Sequence, residues 1–161
     1  MEPTDYIPIL QDHVGANKVM ERRLTSRLMA YWERIRGERI MPTESDLNPD
    51  GDISDMWDDC FLIHASDIEM DGYNFIFLGD NIRVSLVGED TEPMRMWDAL
   101  NVKRLAPSIQ QVIEKKAPLL DEGETYNDAN QLVKYRQCLL PIGEGDKVLA
   151  IFGGMRCKIY T

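Results

Sequence analysis

Leu28-Met29-Ala30-Tyr31-Trp32-Glu33-Arg34-Ile35-Arg36-Gly37, continuing as Glu38-Arg39-Ile40-Met41-Pro42, is the stretch on which the fold reading turns. Upstream of it the apolar positions are Ala16, Val19, Met20, Leu24, Leu28, Tyr31, Trp32 and Ile35. Steps of three and four put them on one stripe and predict an amphipathic helix over Ala16 to Arg36. Gly37 suits the left-handed position that closes a helix. Before this helix, residues 5 to 14 read as a short arm or helix containing Tyr6, Ile7, Ile9 and Leu10.

The chain changes character after Pro42. Asn-Pro, Asp-Gly and clustered acids make Pro42 to Asp59 a loop by composition. Cys60 to Ala65 reads as a strand, Asp71-Gly72 as a hairpin turn, and Tyr73 to Leu78 as the strand's partner. Short helical turns are expected over 81–87 and 92–100. A longer helix is expected from Leu105 to Lys116, with Pro107 near its first turn and Ile109, Val112 and Ile113 facing inward. Pro118 and Gly123 are expected to end it. Three strands complete the order: Glu124 to Asn127, Val133 to Ile142 and Val148 to Ile159, the last two joined by Gly143-Glu144-Gly145-Asp146. Two strands, intervening helices and a three-stranded meander predict an α+β fold with one five-stranded antiparallel sheet. The expected division is 1–42 for arm and helix and 43–161 for the sheet-bearing domain.

At 161 residues the chain is long enough to bury a core without staples. The formal charge of −10 argues against non-specific nucleic-acid binding, because a polyanion is repelled. The charge is also unevenly placed. Residues 43 to 72 hold ten acids and no Lys or Arg, whereas Lys18, Arg22, Arg23, Arg27, Arg34, Arg36 and Arg39 crowd the preceding helix against Glu21, Glu33 and Glu38. Two solvated faces that attract each other account for this, as does a partner-docking surface on the basic helix. No apolar run approaches the roughly 18 residues of a membrane span, and the amino terminus has no secretory pattern. Cys60, Cys138 and Cys157 lack metal-site spacing and read as buried thiols of a cytoplasmic protein.

The Tyr31-Trp32-x-x-Ile35-Arg36-Gly37 helix end and Met41-Pro42 carry a resemblance to a family of short bacterial PAS-like proteins. Phe77-Leu78-Gly79, Tyr135-Arg136, Leu139-Leu140-Pro141 and Phe152-Gly153-Gly154 support it by order and spacing. The resemblance covers roughly Leu24 to Ile159. It implies a PAS fold, whose helices cover one sheet face around a small pocket that in some members holds haem, flavin or a metabolite and in many holds nothing. It therefore implies sensing or protein interaction rather than turnover. Around Asp50-Gly51-Asp52 and Met56-Trp57-Asp58-Asp59 the chain departs from the family's compact Asp-Pro turn.

Individual residues narrow this reading without naming a cofactor. Haem ligation by a typical sensor needs a histidine on the long helix, and Leu105 to Lys116 has none. Light-sensing flavin chemistry needs a cysteine on a preceding short helix, and 81–100 has none. His64 reads as a mid-strand structural histidine, with a pH-sensing role as the alternative. Asp46-x-Asn48-x-Asp50-Gly51-Asp52-Ile53-Ser54 matches much of a calcium loop, but Trp57 stands where the bidentate carboxylate belongs. Trp32, Trp57, Trp97, Met94 and Met96 are core or cavity residues. Tyr135 and Gln137, in phase with Leu139 on a central strand, are candidate ligand-orienting groups, with Trp97 and Ile109 lining the same space. No catalytic residue or motif is nominated. The expected protein is a PAS-like sensor that binds a small ligand or a signalling partner. Met20, Leu24, Leu28, Tyr31, Trp32 and Ile35 are expected to form the seam of a homodimer. A ligand-free adaptor, a calcium-responsive module and an enzyme of unrecognised type are the alternatives.

Overall fold

Two long strands, Leu132–Glu144 (β4) and Lys147–Tyr160 (β5), form a hairpin around Gly145-Asp146, where Gly145 adopts a φ of 59°. A computed structural model describes residues 13–65, 75–86, 102–127 and 129–160, with the side chains of 13–22, 75–76 and 102–106 outside that description. Around this hairpin Cys60–His64 (β1), Phe75–Leu78 (β2) and Leu119–Tyr126 (β3) complete an antiparallel sheet of order β2-β1-β5-β4-β3. The helices are His13–Arg36 (α1), Asp80–Leu86 (α2) and Val102–Lys115 (α3). Two 3-10 turns, Glu44–Asp46 and Ser54–Asp59, shape the acidic loop. The five-stranded α+β architecture is the one the sequence predicts.

Strand register assigns each residue to a face. Cys60, Cys138 and Gly154 lie side by side on one face, while Gln137 and Met155 lie on the other. A Cβ placed on Gly154 would stand 2.2 Å from Leu28 Cδ1, so α1 lies on the Gly154 face. On that same face the far end of β3 and β4 is solvated, with Glu122, Glu124 and Lys134 exposed. Val133, Gln137 and Leu139 beside them are fully buried, and α3 packs on β3 and β4. That burial puts α3 on the Gln137 face. The sheet thus separates the amino-terminal helix from the internal long helix.

Sequence accounts for α1 directly. Leu24, Leu28, Tyr31 and Trp32 join one buried cluster with the sheet residues Cys138, Leu140 and Phe152. The Trp32 indole donates to the Pro141 carbonyl at 2.8 Å. Pro141 lies past the last β3–β4 pair, Leu119–Leu139, on the side where β4 has no neighbouring strand. A missing N–H leaves no sheet bond unmade there. Gly37, at a φ of 61°, closes the helix as expected. Trp57 stacks on Phe77 at 4.6 Å between ring centroids and roofs the β1–β2 side.

Leu24, Leu28, Tyr31 and Trp32, four residues of the expected dimer seam, are at most 5% exposed within the single chain and cover its own sheet. Ile35 is half-buried against the same core, and the Met20 side chain lies outside the described residues. The buried core draws on residues from both sides of residue 42. The helix α3 starts at Val102 rather than Leu105, so Pro107 is interior to it rather than near its first turn. It stops at Lys116, which takes a left-handed φ of 54°. β3 begins at Leu119, five residues before the expected strand, and Gly123 is mid-strand rather than a helix stop. The arm over 5–12, the Asp71-Gly72 turn, Tyr73, Asn74, Val87 and the 92–100 helical turn with Met94, Met96 and Trp97 lie outside the described residues.

Seating α1 on a glycine makes it sensitive to a single methyl. Gly154→Ala should cost on the order of 1–3 kcal/mol by overpacking against Leu28. Combining it with Leu28→Ala should cost less than the sum of the two single changes, read as unfolding free energies in a double-mutant cycle. Additive effects would mean that the two residues do not share this contact. Trp32→Phe should cost about 1–3 kcal/mol by leaving the Pro141 carbonyl without its donor.

Candidate functional site

The sheet face under α3 carries a polar pair with a buried member. Gln137 is fully buried in the middle of β4, and its Nε2 donates to Asp121 Oδ2 at 2.8 Å from the facing position on β3. That contact fixes the amide's orientation, because a carboxylate oxygen only accepts and must face the nitrogen. Gln137 Oε1 is left turned away, buried, and without a hydrogen-bond partner among the described residues. Leaving such an acceptor unmade costs about 1–3 kcal/mol. Natural cores seldom tolerate that without a water or ligand.

The neighbours define a small environment. Buried Met155 faces Gln137 from β5, with Leu139 and half-buried Tyr135 two residues away on β4. Ile109 and Val112 are buried on α3, whose packing covers β3 and β4. Gly123 stands opposite Tyr135 and adds no side chain of its own. Asp121 is half-buried on the outer strand, so the polar pair lies towards the sheet margin. Of the expected ligand-lining residues, Tyr135, Gln137 and Leu139 share this face, and Ile109 belongs to the helix above it. Trp97 lies outside the described residues. Asp121 was absent from the expected set because its segment was not read as strand.

On the opposite side, the basic helix and acidic loop meet. Arg27 donates to both Asp55 oxygens, at 2.7 and 3.0 Å, and to the Asp52 carbonyl. Arg34 pairs with the Asp52 carboxylate, and Arg39 with Asp46 at 2.9 Å. The Tyr31 hydroxyl receives the Asn48 N–H at 3.0 Å. The loop carboxylates therefore turn towards separate arginines rather than towards one another, unlike the ligands of a calcium loop. No group of three ligating side chains gathers among the described residues. His64 is half-exposed, its Nε2 3.6 Å from Glu44 Oε1. Asp59 is the buried acid of this region, held by Asn81 at 3.0 Å and Arg156 at 3.3 Å. Burial raises the Cys60 thiol far above its ordinary range and pushes Cys138 up to about 12, which keeps both thiols protonated and unreactive.

A family model described as a PAS domain matches residues 20–156. The chain belongs to the PAS domain family. Among solved structures it is similar to the crystal structure of the PAS domain of a protein from Colwellia psychrerythraea. The identity is 12% and the TM-score 0.44, with 64% of this chain and 91% of that one covered. No curated protein matches it. Membership of the family carries a signal-sensing or regulatory role in general terms. No helix among the described residues is long and apolar enough to cross a membrane.

The helix–loop pairs set an acid limit on α1 docking. The Asp46 carboxyl lies below its ordinary value because it accepts from the Thr43 N–H, then from the Thr43 hydroxyl and Arg39; Asp55 lies below its own because of Arg27. Depressed carboxyls stabilise the fold above their unfolded pKa of about 3.9, and that contribution is lost as pH falls through the lower folded values. Thermal stability should therefore drop below about pH 4. Asp46→Asn combined with Asp55→Asn should flatten that drop while lowering stability at neutral pH, as followed by melting temperature against pH. An unchanged acid slope in the double variant would place the acid sensitivity elsewhere.

Proposed function

We propose that this PAS domain is a sensor that binds a small ligand between the sheet and α3 and reports it through the position of α1. The observation that carries this reading is the Gln137 oxygen, buried and without a partner among the described residues on one face, one residue from the seat of α1 on the other. Gln137 and Met155 pair beneath α3, while their chain neighbours Cys138 and Gly154 pair beneath Leu28. Any shift of the Gln137–Met155 pair moves the surface on which α1 rests, because a strand cannot displace one face alone. Binding would occur without chemistry, by favouring one packing of α1 over another.

The output would follow from what α1 covers. Leu24, Leu28, Tyr31 and Trp32 are buried while the helix is seated, so they become available to a second copy of the chain, or to a signalling partner, only when it moves. Arg27 and Arg34 of α1 would then be released from Asp55 and Asp52 and could set partner choice. A second reading, a ligand-free adaptor, is supported by the sheet surface beside α1. Leu120, Tyr126 and Tyr160 are 57%, 61% and 41% exposed there and offer apolar surface that a partner could cover with no ligand.

Native mass spectrometry of gently purified protein separates the two. A reproducible extra mass on the monomer or dimer is the outcome expected of a sensor, and a clean mass with a stable dimer is that of an adaptor. Leu139→Trp provides the second measurement. It should abolish the extra mass and any ligand-dependent change in amide exchange over α1 while the chain stays folded. If the extra mass survives in this variant, the ligand does not sit beneath α3.

A further inference from the structure

Resting on the reading of this face as the ligand site, we infer the chemical class of its ligand: a small, uncharged or cationic hydrogen-bond donor with an apolar body. Gln137 offers only its oxygen, since Asp121 holds its nitrogen at 2.8 Å. That oxygen has no exposed area and no partner among the described residues, so whatever completes it brings an N–H or O–H. Of the other polar groups on this face, the Asp121 carboxylate is also an acceptor, and the half-buried Tyr135 hydroxyl can serve as either. Two acceptors side by side call for donors, and a carboxylate beside them works against an anionic ligand. The remaining walls, Leu139 and Met155 on the sheet and Ile109 and Val112 on α3, are apolar and select a hydrocarbon body. Alcohols, amines and primary amides of a few carbon atoms satisfy all of these conditions; carboxylates and phosphates do not.

Matched probes test this without knowledge of the natural ligand. Isobutyramide, isobutanol and isobutylamine share a branched body and donate hydrogen bonds; isobutyronitrile shares it but only accepts, and isobutyrate shares it but carries a negative charge. Titrated into isotope-labelled protein at neutral pH, the three donors should shift the backbone amide resonances of Asp121, Gln137 and Met155. The nitrile and the carboxylate should leave them in place. Gln137→Leu should weaken isobutyramide by about tenfold, the worth of roughly one hydrogen bond. Asp121→Asn, on the half-exposed outer strand, removes the charge and should reduce the preference for the amine over isobutyrate.

Equal or tighter binding of the nitrile or isobutyrate at these resonances would overturn the donor class and leave the ligand-site reading standing. Silence from every probe, in protein whose spectrum shows it folded, would overturn the inference and assign the Gln137 oxygen to water. The native mass described above decides the broader sensor reading independently of either result.

Discussion

Close contact between α1 and β5 over Gly154 is the constraint on which the rest of the structure depends. A side chain at that position would meet Leu28 at 2.2 Å, so the helix can lie flat only because the strand presents a bare backbone there. Seated in this way, α1 brings Trp32 to the open Pro141 carbonyl and Tyr31 to the Asn48 N–H. The Tyr31 contact holds the start of the acidic loop, and Arg27 and Arg34 hold its middle through Asp55 and Asp52. The exposed ion pairs are individually worth little in water. Their placement along one side of a helix already fixed by apolar packing makes them a guide to register more than a source of stability.

The consequence is a sheet with two distinct jobs. Alternation along β4 gives Tyr135, Gln137 and Leu139 to α3 and Cys138 and Leu140 to α1, and β5 repeats this with Met155 against Gly154. Both faces are closely packed at the glycine pair. Phe61 stands 2.5 Å from where a Cβ on Gly153 would be, so the glycine pair is filled closely from both sides. Close packing on both faces of the same residues makes a central strand a stiff coupler, since interiors resist compression. This supplies a physical basis for linking an interior site to the amino-terminal helix.

Elements whose periodicity agrees with their burial were legible in the sequence. The three-and-four spacing of α1 and the Gly37 stop identified the helix, and the apolar runs at 60–65, 133–142 and 148–159 identified β1, β4 and β5. β3 was only partly legible because its two faces do not differ in polarity. Its exposed positions are Leu120, Glu122, Glu124 and Tyr126, and its half-buried ones are Leu119, Asp121, Gly123 and Thr125. An outer strand with a polar inner side leaves no period-two signal. Without β3, Asp121 could not be set across from Gln137, and the orientation of the amide could not be derived. What the α1 stripe covers was not legible, because a helix covering its own sheet and one covering a second copy carry the same pattern. Gly153-Gly154 is the signal for packing on the chain's own sheet, because two adjacent small residues in a long central strand admit an element from each side.

The charge distribution supports the same arrangement. A −10 chain with its cations concentrated on α1 places those cations where they are most strongly attracted, against the 43–59 loop. Apolar burial alone would hold α1 down without specifying which side of it faces the loop. The arginines break that rotational degeneracy, since turning the helix about its axis would remove Arg27 and Arg34 from their partners together. A displaced helix would therefore expose an apolar stripe and a row of unpaired arginines at the same time. A partner chosen by that surface would need both an apolar seam and acidic flanks. The 43–59 loop of a second copy would offer the acids but not the seam, so the seam must come from the second copy's own α1 or from a different protein.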